Sequence, residues 1–212
     1  MADIDTLRER VEALLADPAN AEWSTSELDQ AIRLALADLS VALPVEAAAT
    51  LDAADETWEY SLGTISGLVE VTEVWYPYLA GDVLYKRAHP IPWRRIDDST
   101  LMIEPADDPD ASYDLRVFYT RCQTVAGLDS ATTTTVNEAE KALLVRGAAA
   151  FAALARSRDV TNEVTIGSAV PERLREWGLA MMQRFVNGLE ALGLMAAAAE
   201  DPRVGAWGRE GV

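Results

Sequence analysis

At 212 residues the chain can bury one sizeable core, or a helical body with one smaller module, and its 50% apolar share is that of a globular protein. A net charge of -17 argues against general binding to nucleic acid or anionic membrane, because phosphates need clustered Lys and Arg. One Cys and one His exclude an intrachain disulfide framework and a Cys/His zinc cluster.

The charge is uneven: residues 1–60 hold 14 acidic and 3 basic side chains and so carry -11 of the total. The opening M-A-D-I-D-T-L-R-E-R lacks the basic start and apolar run of a secretory signal. No uncharged apolar stretch reaches the length of about 18 residues that a transmembrane helix needs. The expectation is a protein kept in a cytoplasm-like compartment, or in a particle assembled there.

In chain order, Ile4, Leu7, Val11 and Leu14 make a short amphipathic helix, with Asp3 as its cap. Asp17-Pro18 ends it. Trp23 to Leu43 is the most fully specified element. Ser24 and Glu27 have the spacing of a capping box, and Trp23 and Leu28 that of a hydrophobic staple. Leu28, Ala31, Ile32, Ala35, Leu36, Leu39 and Leu43 form one apolar stripe, which Pro44 stops. Pro44 to Glu56 reads as a connector with at most a short strand near Thr50–Leu51.

From Thr57 the period changes to that of strands. T-W-E-Y-S-L, L-V-E-V-T-E-V-W-Y-P-Y and Y-D-L-R-V-F-Y-T-R read as strands, and Asp82–Arg87 as a short one. Gly63–Gly67 reads as a hairpin turn. I-P-W-R-R-I-D and T-L-M-I-E-P read as a hairpin across Asp98-Ser99. Residues 122–135 are a linker, and Thr135 with Glu138 has the spacing of a second capping box. Ala139, Leu143, Gly147, Ala150, Phe151 and Leu154 then mark one buried helix face ending near Arg158. A loop leads to Pro171, and Leu174, Trp177, Met181, Phe185, Leu189 and Leu192 give a long amphipathic helix. Gly178, Gly188 and Gly193 cost that helix stability and so mark close packing. The tail E-D-P-R-V-G-A-W-G-R-E-G-V has no period.

The fold this order predicts is α+β: a four-helix bundle with an antiparallel β module inserted between the second and third helices, and an extended C-terminal tail. The segments are 1–56, 57–121, 122–199 and 200–212.

No enzyme signature emerges. His89 in R-A-H-P lacks an obvious acid or nucleophile partner, and reads better as a turn residue. Cys122 has Arg121 beside it but no Cys-x-x-Cys partner. G-T-I-S-G has its serine one place late for a nucleophile elbow. Asp107, Asp108 and Asp110 lack the glycine and closing glutamate of a calcium loop. Neither a cofactor nor a metal is expected. Lys86, Arg87, Arg94 and Arg95 cluster around Trp93, a pattern that suits a local contact with an acidic partner surface better than nucleic acid. Trp207, in a segment without a core, suits a docking peptide or an idle tail tryptophan.

Trp23-Ser24-x-x-Glu27-Leu28 with its stripe to Leu43, the β-rich middle, and the late helical pair opening T-V-N-E-A-E-K-A-L-L-V-R-G-A-A-A-F together resemble the head–tail adaptor (connector) proteins of tailed bacteriophages. The resemblance implies a structural virion protein, not an enzyme. Such proteins form a homo-oligomeric ring, usually of twelve copies (a dodecamer), in the phage neck between the portal and the tail or stopper protein. DNA passes through the lumen without specific binding, no membrane is involved, and assembly takes place in the host cytoplasm. The tail, with Arg203, Val204, Trp207 and Arg209, would dock on the portal. Asp29, Arg33, Asp38, Arg94 and Arg95 would make subunit or lumen contacts. The alternatives are a tail-completion or stopper component, a cytoplasmic α+β binding module, and an enzyme with an unrecognised site.

Overall fold

The computed structural model describes residues 3–19, 21–80, 88–161 and 169–200. The chain is α+β, with four helices and two antiparallel sheets among these residues. It divides into two compact units. One takes its residues from both ends of the chain, up to Pro44 and from Gln123 onward; the other is Val45–Cys122.

In the helical unit, α1 is Asp3–Leu15, α2 is Thr25–Ala42, α3 is Glu138–Thr161 and α4 is Ala169–Glu200. The start of α2 is fixed by its capping box. Ser24 Oγ accepts from the Glu27 N–H at 3.3 Å, and Glu27 Oε2 accepts from the Ser24 N–H at 2.7 Å. Trp23 and Leu28, the two ends of the staple, are both buried in the core. The loop before them is organised by Asp17, whose carboxylate accepts the N–H groups of Ala21, Glu22 and Trp23 at 2.9, 2.9 and 3.1 Å. Asp3 begins α1 rather than capping it, and its carboxylate faces Lys141 at 3.6 Å.

These carboxylates set a pH dependence. The Ser24 hydroxyl and N–H hold Glu27 below the ordinary carboxylate range. Burial opposes the ionisation of Asp17, but its three N–H donors outweigh it and lower its pKa. A depressed folded-state pKa contributes stability above the unfolded value and loses it as pH falls through the folded one. The helical unit is therefore expected to weaken below about pH 4. Ser24→Ala should lower stability at pH 7 by about 1 kcal/mol. It should also narrow the difference in Tm between pH 7 and pH 3, because Glu27 then has less to lose. Thermal melts at the two pH values measure both.

The start of α3 differs from expectation. Asn137, not Thr135, is its cap: Asn137 Oδ1 accepts from Ala139 and Glu140 N–H at 2.9 and 3.0 Å, and Glu140 returns a bond to the Asn137 N–H at 2.8 Å. Thr135 is used elsewhere. Its hydroxyl donates to Gln123 Oε1 at 2.6 Å and accepts from the Thr124 N–H at 2.8 Å. Gln123, itself buried, donates through its side-chain amide to the Leu43 carbonyl at 2.8 Å and through its backbone N–H to the Ser40 hydroxyl oxygen at 3.0 Å. The end of α2 and the start of the linker are thus tied to one another.

The single buried face expected of α3 is also replaced. Leu143, Leu144, Val145, Ala148, Ala149, Ala150, Ala152 and Ala153 are buried, while Ala139 is exposed and Phe151 and Leu154 are half-buried. The reason is position: α3 packs against all three other helices. Small residues on both helices let α3 and α4 come close. A Cβ on Gly147 would lie 2.8 Å from the Phe185 ring, one on Gly188 2.5 Å from Leu143, and one on Gly178 3.0 Å from Leu154. At Gly193 the nearest atom, the Ala42 carbonyl oxygen, is 3.6 Å away, an ordinary contact.

In the other unit, β1 (Val45–Asp52), β3 (Leu68–Tyr78), β4 (His89–Pro90) and β7 (Asp114–Arg121) form one sheet in the order β1-β7-β3-β4. β2 (Glu59–Ser61), β5 (Trp93–Asp97) and β6 (Thr100–Ile103) form the second, in the order β2-β6-β5. Tyr60, Val71, Val74, Leu101, Leu115 and Val117 belong to one core shared by both sheets. The expected hairpin across Asp98-Ser99 is present. Two expectations are corrected. The stretch read as a connector is the eight-residue strand β1, paired with β7 along its whole length from Val45↔Arg121 to Asp52↔Asp114. Gly63–Gly67 is no hairpin turn, because it joins strands of different sheets: β2 pairs with β6 while β3 pairs with β7. Asp82–Arg87 lies outside the described residues.

Candidate functional site

Of the residues expected to make subunit or lumen contacts, several are committed inside the fold. Arg8 on α1 donates through Nε and Nη2 to Asp29 at 2.7 and 2.8 Å and through Nη1 to Asp5 at 2.7 Å. Asp29 raises the Arg8 pKa, against the opposing effect of burial. Arg33 Nε meets both oxygens of Asp129 at 2.8 and 3.0 Å. Arg95 is spent on backbone carbonyls, donating to Val69, Asp97 and Asp98 at 3.1, 3.1 and 2.8 Å. Arg94 lies over Met102 Sδ at 3.0 Å, with Glu104 at 3.9 Å. Adjacent strand residues face opposite ways, so Arg94 and Arg95 do not form one patch.

Asp38 is different: it is exposed and has no hydrogen-bond or ion-pair partner among the described residues. Lys86, Arg87 and the tail residues Arg203, Val204, Trp207 and Arg209 lie outside the described residues. His89 and Cys122 are exposed. The Asp107–Asp110 loop is tied to its surroundings, with the Asp110 N–H donating to the Tyr76 hydroxyl at 2.8 Å and Asp55 accepting from the Ala111 N–H at 2.8 Å. Among the described residues no group of three or more His, Cys, Asp or Glu converges as metal ligands would. No helix among them is long and apolar enough to cross a membrane.

The helical unit carries two surfaces that the sequence did not announce. The first is an open cleft of about 910 Å³ between α1, α3 and α4, where Arg10, Arg146 and Arg184 surround Leu14, Val145 and Met181. Arg10 is engaged at one end by Glu138, at 3.2 Å. Arg146 and Arg184 are exposed and have no ion-pair partner among the described residues. In a chain with 18 basic and 35 acidic side chains, two uncommitted arginines over an apolar floor are a local reversal of charge. Their sequence spacing gives no hint of this, because three separate helices bring them together.

The second surface is apolar. Leu179, Val186 and Leu194 follow one another along α4 on one face, and Val186 and Leu194 adjoin Ala42 at the end of α2. Leu194 and Met195 are 73% and 69% exposed, and Val41 on α2 is 86% exposed. On α2, Leu34, Asp38 and Val41 share an outward face at steps of four and three residues.

Neither a protein-family model nor a curated protein matches the chain.

Proposed function

We propose that the chain is a structural, non-enzymatic ring adaptor of a phage neck, placed between the portal and the tail or stopper. Its helices would form a four-helix bundle with the β unit as an insertion after α2. The observation that carries the reading is the uncovered apolar stripe of α4, Leu179, Val186 and Leu194, with Val41 on α2. A helix that buries Phe185 on one side and leaves this stripe open on another needs a further surface to cover it. Copies of the same chain supply such a surface in a ring, where each interface joins two different patches. The order of elements in the chain, which resembles that of the adaptors, supports the same reading.

The charge suits the role. A conduit for DNA must not hold phosphates, and an acidic lumen repels them so that the duplex slides past. The committed ion pairs Arg8–Asp29 and Arg33–Asp129 then serve to hold each subunit's shape, and exposed Asp38 remains for contact. The C-terminal tail with Trp207 would dock on the portal. Deleting residues 200–212 is expected to abolish co-purification with the portal protein and to leave the circular dichroism spectrum and Tm unchanged. Undiminished portal binding by the shortened chain would retire the tail's role.

A further inference from the structure

We infer that the arginine cleft of one copy receives the outward face of α2 from a second copy, with Asp38 seated between Arg146 and Arg184. The inference rests on the self-assembly part of the adaptor reading and names one pair of patches that meet, separate from the α4 stripe.

The two surfaces are complementary in kind. The cleft has cationic sides, Arg146 and Arg184, and an apolar floor of Leu14, Val145 and Met181. The face of α2 has an acidic centre, Asp38, flanked by Leu34 and Val41, which are 43% and 86% exposed. Asp38, Arg146 and Arg184 all lack an ionic partner among the described residues, so docking breaks no existing pair. Arginine suits the task because its planar fork binds carboxylate oxygens pairwise and its weak hydration lowers the cost of burial. The apolar flanks supply area that one ion pair cannot.

A second copy is also the occupant that charge favours. The chain carries -17, so copies brought together repel unless a cationic patch on one meets an acidic patch on the next. A duplex would bring its phosphates to two uncommitted arginines against that whole negative field. The cleft belongs to α1, α3 and α4 and the acidic face to α2, so the contact joins two different patches. Such contacts, repeated head to tail, give a ring where the rotation between copies closes.

The test is charge reversal and swap in the full chain, read by sedimentation velocity with Tm as the check on folding. D38R and the double variant R146E/R184E should each fold with wild-type Tm and weaken self-association by roughly a hundredfold, the scale of opposing a buried charge pair. Combining D38R with R184E should restore a large part of the lost association. Assembly by D38R and R146E/R184E equal to wild type overturns the inference and leaves the adaptor reading standing. Loss with R146E/R184E but not with D38R overturns it in favour of another occupant. Binding of a short DNA duplex that R146E/R184E abolishes overturns it in favour of nucleic acid. Wild-type protein that is monomeric at every concentration overturns both readings.

Discussion

Phe185→Ala is expected to lower the stability of the helical unit by about 3–5 kcal/mol, the cost of truncating a fully buried aromatic residue. Phe185 is 0% exposed and, among the described residues of α4, is the one that ranks with the largest fully buried side chains. Its ring lies beside Gly147, where a Cβ would come within 2.8–2.9 Å of three ring atoms. The reciprocal change has the opposite volume. Gly147→Ala gains up to about 1 kcal/mol of helix propensity but overpacks a rigid ring, at about 1–3 kcal/mol. The double variant with Phe185→Leu should recover part of the Gly147→Ala loss, since the smaller side chain makes room for the methyl group. Denaturant titrations of the four proteins form a cycle, and additivity of the two changes would show that the residues do not pack on one another.

Trp23→Ala is expected to cost about 3–5 kcal/mol as well, for the same reason of volume, while Trp23→Phe should cost about 1 kcal/mol. Trp23 is buried, and its indole N–H donates to the Ala152 carbonyl in the middle of α3 at 3.3 Å. The phenylalanine variant keeps most of the apolar body and loses that bond. Equal losses for the two variants would mean that the hydrogen bond, not the packing, carries the residue. A folded domain holds only about 5–15 kcal/mol in total, so either alanine variant brings the helical unit near the edge of folding.

These two residues also show how far the sequence could be read. The start of α2 was legible in full, because cap, staple and stripe are local signals set by residues within a few positions of one another. The strands Leu68–Tyr78 and Asp114–Arg121 were legible for the same reason, being rich in β-branched and aromatic residues. β1 was not, because V-E-A-A-A-T-L-D has weak strand propensity and is held by its ladder with β7 about seventy positions away. The centrality of α3 was hidden too. An alanine-rich helix buried against three neighbours shows no strong single face, so the period made α2 the most fully specified element instead. The Trp23 indole bonds to α3 nonetheless, which is why the best-marked element and the central one are joined.

The candidate surfaces were less legible than the fold. Asp29, Arg33 and Arg95 looked like contact residues on charge alone, yet each is satisfied by a partner that only tertiary structure brings near: Arg8, Asp129 and the Val69 carbonyl. Asp38 kept its availability because nothing basic among the described residues folds over it. Arg146 and Arg184 went unnoticed because they lie on different helices, and a charge reversal built from α1, α3 and α4 has no period to detect.

Electron microscopy of the purified full chain, alone and mixed with a phage portal protein, tests the central proposal most directly. The adaptor reading predicts closed rings of about twelve copies that seat on the portal with a shared axis. A chain that stays monomeric and never associates with the portal would contradict it.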